Sequence, residues 1–237
     1  MIITKQTRIF NSSDLSEGSV LLIDKPKGKT SFDAVWWVRK KLQIKKVGHA
    51  GTLDPAATGL LIVCTGKKTK EISKFQELHK VYTGVITLGA TTASMDQETE
   101  LENVKDVEEL SEEKIYTIRD SFLGEIEQIP PMFSALKHKG RSLYKYARKG
   151  IEVKREPRKV SIYNFRITEI NIPYISFEIE CSKGTYIRVI ANDFGMKTGY
   201  GGYLGELRRT KIGDYDVNNA LTLEELTNLE INFDVQD

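Results

Sequence analysis

The stretch from Val47 to Lys70, V-G-H-A-G-T-L-D-P-A-A-T-G-L-L-I-V-C-T-G-K-K-T-K, restricts the fold more than any other part of the chain. Leu60 to Cys64 is apolar without interruption, a pattern a strand adopts where both of its faces are covered. Just before it the chain must turn tightly: Pro55 fixes the backbone after Asp54, and Gly51 and Gly59 stand on either side. A lone Asp-Pro is most simply a structural turn or a helix cap. The neighbours change that reading, because Gly48, His49 and Gly51 let the backbone come close to a bulky ligand, which a cap does not require. The pattern predicts a reactive carboxylate, Asp54, on a turn backed by a rigid strand.

Composition excludes several alternatives. The 237 residues, 40% hydrophobic and 29% charged, suffice for one large domain or two small ones, and no apolar run approaches the roughly 20 residues of a membrane helix. M-I-I-T-K-Q-T-R has no secretory core with a cleavage site, so a cytoplasmic protein is expected. Cys64 and Cys181 lie in apolar runs without a Cys/His cluster, as buried reduced thiols do. His49, His79 and His138 are dispersed and show no zinc-ligand spacing. The run from Gly59 to Lys68 has six residues between its glycines and a lysine where a phosphate loop needs Ser or Thr. G-Y-G-G-Y-L-G puts Leu204 where a dinucleotide fingerprint needs glycine.

In chain order, residues up to about Gly18 lack periodicity and read as an extension. S-V-L-L-I-D reads as a buried strand and K-P-K-G-K-T-S as a turn. Ser31 is the expected N-cap of a helix in which Phe32, Val35, Trp36 and Leu42 recur at helical spacing, with one of Trp36 and Trp37 in the core. Thr69 to Leu78 reads as a short helix, and V-Y-T-G-V-I-T-L-G as a strand. Ser111 caps a helix with Ile115, Ile118 and Phe122 on one face. Period-2 alternation predicts strands through Val160, Ile162, Phe165 and Ile167 and through Ile175, Phe177, Ile179 and Cys181. A helix to about Thr198, stopped by Gly199, a glycine-rich loop into E-L-R-R-T, and a short helix at T-L-E-E-L complete the chain.

The net charge of +2 conceals a division. Ser94 to Glu127 holds twelve Asp/Glu against three Lys/Arg, a balance of −9, and Lys137 to Lys159 holds ten Lys/Arg against two Glu, or +8. The basic segment interleaves its cations with Tyr144 and Tyr146, which suits either a solvated amphipathic helix or a surface for phosphates and bases. Tyr82 is either a core aromatic or a stacking surface whose hydroxyl moves protons. Arg188 is either a surface arginine or the partner that keeps a buried carboxylate ionised.

The run G-H-A-G-T-L-D-P-A-A-T-G-L-L resembles the catalytic signature of the TruB family of tRNA pseudouridine synthases. D-K-P-K-G-K-T-S, K-V-Y-T-G-V-I-T-L-G, the segment from Q-I-P-P to G-I-E-V, and C-S-K-G-T-Y-I-R with the later E-L-R-R resemble it too, in the family's order. The resemblance implies an α+β pseudouridine synthase fold: a mixed, mostly antiparallel sheet with flanking helices. It implies a single catalytic domain over 1–237 with an inserted basic, thumb-like segment at about 130–159, and isomerisation of the T-loop uridine at tRNA position 55. Asp54 would be the nucleophile, Tyr82 the residue stacked on the flipped base and the base at C5, and Arg188 the partner of Asp54. Tyr186 and Leu207 would line the uracil pocket, and His49 would hold extruded nucleotides. Lys25, with Pro26, would support the active-site loop. Lys70 would contact substrate, and Lys137, Arg141, Lys145, Arg148 and Lys149 the RNA backbone.

The implied partner is the T-arm stem-loop of tRNA, bound by a monomer without cofactor, metal, membrane or obligatory protein partner. Two departures stand out. T-T-A-S-M-D-Q-E-T keeps Asp96 but has Ala93 and Thr99 where the family often carries Asp and Gly, which bears on a role for Asp96 in ordering active-site lysines. The chain also stops soon after Arg209, and the family's small C-terminal RNA-binding domain is expected to be missing. A guide-RNA-dependent synthase and a non-catalytic RNA-binding protein are the competing readings.

Overall fold

The computed structural model describes residues 1–7, 9–11 and 17–232, and the chain groups into two compact units, Met1–Tyr82 with Leu207–Asp237 and Thr83–Glu206.

The first unit is built on the Thr58–Thr65 strand. One edge pairs antiparallel with Val20–Lys25, Leu22 opposite Ile62. The other edge takes Val47–His49 antiparallel near its end and Arg208 and Arg209 in parallel beside Thr58 and Gly59. Leu61 and Val63 enter a core with Val35, Val38 and Leu42 of the Ser31–Leu42 helix, and Leu60, Ile62 and Cys64 enter a second core with Ala50, Phe75 and Ile212. None of the five residues Leu60 to Cys64 exposes any surface, so the unbroken apolar run has the predicted cause. Each such burial stabilises by about 1.5–3 kcal/mol, which makes this strand a stiff support.

Several expectations are corrected in this unit. Ile2–Ile3 pairs in parallel with Val20 and Leu21, and Ile3 is fully buried, so the start of the chain is sheet rather than extension. The rest of that expectation falls partly outside the described residues. Thr30, not Ser31, caps the Ser31–Leu42 helix: its hydroxyl accepts from Asp33 N at 3.0 Å while Asp33 Oδ2 accepts from Thr30 N at 2.7 Å. The helix buries Ala34, Val35, Val38 and Leu42, and Phe32 and Trp36 lie roughly 120° away around its axis. Trp36 is therefore exposed, while Trp37 is half-buried and packs against the core from its edge rather than lying within it.

In the second unit Arg158–Asn171 pairs antiparallel with Tyr174–Cys181 on one edge and with Gly124–Gln128 on the other. The predicted positions hold, and the step from Ile162 to Phe165 is explained by a register shift between Ile162 and Asn164; a second shift lies between Ile167 and Glu169. Rings of Phe122, Phe165, Phe177 and Phe194 meet at 6.1–6.2 Å and form the centre of this unit. The Glu112–Asp120 helix is capped by Ser111 and buries Ile115 and Ile118, and Ile187–Thr198 ends on Gly199 in a left-handed conformation, both as predicted. The glycine-rich loop is shorter than expected, because Gly202–Ile212 is already strand. Gly195 and Gly202 let helix and strand backbones touch where a Cβ on either would collide. The basic segment is no continuous amphipathic helix: Lys137–His138 and Arg141–Ser142 form a hairpin, and only Leu143–Ala147 is helical.

The architecture is α+β with a mixed, mostly antiparallel sheet, and no described helix is long and apolar enough to cross a membrane.

Candidate active site

Asp54 sits on an irregular turn between Val47–His49 and Thr58–Thr65, half-buried, closed by a bond from Ala57 N to its carbonyl at 3.1 Å. The turn is held from several sides. Ser31 Oγ accepts from Leu53 N at 2.8 Å and donates to Leu53 O at 3.1 Å, engaging both polar groups of the residue before Asp54. Pro55 O accepts from Gly28 N at 2.8 Å, which ties the turn to the K-P-K-G-K-T-S loop. Beneath it lies Arg209, almost wholly buried, donating from Nε to Leu60 O at 2.8 Å and from Nη2 to Gly51 O at 3.1 Å. Gly59 has a positive φ of 104°, and a Cβ there would collide with the Arg209 backbone.

Charge around the turn is equally fixed. Lys25 is fully buried and donates from Nζ to Pro26 O and Lys29 O at 2.9 and 2.7 Å. Burial pushes its pKa down to about 8; the Asp54 carboxylate acts against that shift and the Arg209 guanidinium adds to it. His49, half-buried on its strand, is held below its ordinary pKa by burial and by Arg209, so it is neutral at pH 7. Arg208 makes a two-pronged contact with Asp24 at 3.0 and 2.7 Å. Leu207 is half-buried and Tyr82 buried in the Lys80–Leu88 strand, while Lys70 is exposed on the Gly66–Glu71 3-10 turn.

The second unit positions Arg188 at the start of the Ile187–Thr198 helix, where Nη1 meets Asp96 Oδ2 at 3.2 Å with both side chains buried. Asp96 Oδ1 accepts from Glu98 N at 3.0 Å, and its carbonyl accepts from Thr92 and Ser94 hydroxyls, so the 92–98 loop is wound around this carboxylate. Asp96 thus holds an arginine. Tyr186 places its ring 5.9 Å from the Arg188 guanidinium, and its main-chain N–H and C=O are both bonded by the buried Gln128 amide at 3.0 and 3.2 Å. In the basic segment Lys137, Arg141, Lys145, Arg148 and Lys149 are all exposed. Tyr144 donates to Glu98 Oε1 at 2.7 Å.

Ser31, Arg209 and Gln128 escaped the sequence reading as site supports. Only E-L-R-R, in a matched segment, hinted at Arg209; nothing local marks a serine or a glutamine whose partners lie far along the chain. Among the described residues no group of three or more His, Cys, Asp and Glu is placed to hold a metal ion. The arrangement offers one fixed carboxylate on a stiff turn, a neutral imidazole and a buried lysine coupled to that carboxylate.

Comparison with known proteins agrees with this chemistry. Residues 39–187 match the model for the TruB family pseudouridylate synthase (N terminal domain), and residues 188–236 the model for the tRNA pseudouridylate synthase B C-terminal domain. A tRNA pseudouridine synthase B from Chlorobium chlorochromatii is 52% identical over 88% of this chain and 84% of its own length. Another, from Flavobacterium johnsoniae, is 51% identical over 87% and 93%. A chain from a Cbf5-Nop10-Gar1 complex superposes with a TM-score of 0.70 at 28% identity, covering 94% of this chain and 56% of that one. With its signature carboxylate fixed as described and matching models along most of its length, this chain belongs to the TruB family of pseudouridine synthases.

Proposed function

We propose that this protein isomerises the T-loop uridine of tRNA, position 55, to pseudouridine. The observation that carries the reading is the Asp54 turn, clamped through Leu53, Pro55 and Gly51 at the position of the family signature. The reaction breaks the C1′–N1 bond, forms C1′–C5, and releases the C5 proton as N1 gains one. A single carboxylate serves it, either by attacking C1′ or by taking a proton from C2′ on the way to a glycal. The target nucleotide must leave its stack first. Tyr82 stacks on the flipped uracil and accepts the C5 proton, Arg188 pairs with Asp54, and Tyr186 and Leu207 line the base pocket. His49, neutral, holds extruded nucleotides, while Lys25 shapes the loop. Lys70 and the exposed cations of the 137–149 segment take the RNA backbone.

The proposal includes a cytoplasmic monomer without cofactor or obligatory partner. Tritium at uridine C5 of a T-arm stem-loop tests it: wild type should release the label and Asp54→Asn should not. The likeness to a chain from a Cbf5-Nop10-Gar1 complex favours a second reading, a synthase that needs a guide ribonucleoprotein. Turnover of naked tRNA by the pure protein would exclude it.

A further inference from the structure

Phe32 and Trp36, one turn apart on the Ser31–Leu42 helix, are 68% and 53% exposed, although rings of this size are usually buried. Lys40, a further turn along, sets Nζ 5.2 Å from the Trp36 ring centre, and Lys29 Nζ lies 5.9 Å from that of Trp37. Trp36, Trp37, Lys40 and Lys41 line one side of a groove of about 510 Å³, and Leu223, Leu226 and Thr227 the other.

Charge decides what fits this face. From Lys27 to Lys46 seven Lys/Arg stand against one carboxylate, Asp33, which is committed to the Thr30 cap. Across the groove Glu225 closes the cap at Thr222, leaving Glu224 as the other acid of that first turn. An apolar protein partner would desolvate these cations without pairing them. A single-stranded polyanion suits both halves of the face, with phosphates on the lysines and base faces on the exposed rings. Lys40 lies nine residues, roughly 14 Å along the axis, beyond Ser31, whose hydroxyl holds Leu53. The Lys40 end of the face is thereby set apart from the residue that supports the Asp54 turn, while Phe32 adjoins it.

Resting on the tRNA reading, we propose that the Phe32–Trp36–Lys40 face is an auxiliary RNA-binding surface that stacks unpaired bases of tRNA lying outside the T-arm stem-loop. Full-length Phe32→Ala, Trp36→Ala and Trp36→Phe proteins, titrated with whole tRNA and with the isolated stem-loop, test it. Each alanine variant should bind whole tRNA roughly 5- to 100-fold more weakly, the loss of one stacked base. Trp36→Phe should keep most of the affinity, and all three should turn over the isolated stem-loop as wild type does. Unchanged affinity for whole tRNA in both alanine variants overturns the proposal. So does an equal loss on both RNAs, which would put the defect in the Asp54 turn through Ser31. Unchanged RNA affinity with an altered sedimentation coefficient would assign the face to contact between protein copies and overturn it as well. If wild type released no tritium, the isomerase reading would fall while the titrations still decided this one.

Discussion

Around Asp54, Ser31 is bonded to Leu53, Arg209 to Gly51 and Leu60, and Lys25 to Pro26 and Lys29, all from buried positions. Between Lys137 and Lys159 the five candidate cations are exposed on two-residue strands, a five-residue helix and irregular chain. On the proposed function the two regions answer different demands. Bond making at C1′ needs a carboxylate held to a fraction of an ångström, so its neighbours are polar groups whose other options have been removed. Phosphate contact is long-ranged and tolerant of geometry, so cations on long stems in water suffice.

The sharpest way to break this comparison is Asp54→Asn, which should lower tritium release by more than about 10³-fold while stem-loop affinity stays within about threefold. Equal losses in both would show that the turn binds rather than reacts. Arg209→Met comes next: one buried and one half-buried carbonyl lose their donors, and urea unfolding should report a loss of about 2–4 kcal/mol with reduced turnover. Neutralising Lys145, Arg148 and Lys149 together should leave stability within about 0.5 kcal/mol, weaken tRNA binding roughly tenfold, and make the log–log salt slope shallower by up to about 3. An unchanged slope would remove this segment from the RNA interface. Ser31→Ala should cost about 1 kcal/mol and lower kcat more than it raises KM, since it loosens the residue before Asp54. The smallest effect is a pH dependence. With a folded pKa of about 8 against the ordinary 10.5, Lys25 binds fewer protons folded than unfolded between these values. Stability should rise as pH climbs from 8 to 10.5, with the full burial cost present below 8, and Lys25→Met should lack that increment in urea titrations across the window.

Much of the fold was legible because its signals are local. The apolar run at Leu60–Cys64, the alternation ending at Cys181, the Ser111 cap and the stop at Gly199 each follow from neighbours within a turn or a pleat. Errors arose where a local signal had two uses. Ser31 resembles a cap but spends its hydroxyl on Leu53, and Phe32 and Trp36 have helical spacing yet lie off the buried stripe. Gly202 and Gly205 read as loop, although packing rather than turning requires them, Gly202 against the Gly195 backbone and Gly205 against the Thr87 hydroxyl.

By itself the sequence determined the family signature, the carboxylate at Asp54 and the stiff strand behind it, since these depend on composition and period along a few residues. The tertiary structure alone decided what holds them, Ser31 to Leu53 across 22 positions and Arg209 to Leu60 across 149, and, within the other unit, what holds Arg188, its pairing with Asp96 across 92. Such partners are chosen by which buried polar group would otherwise go unsatisfied, and that requirement leaves no periodic trace along the chain.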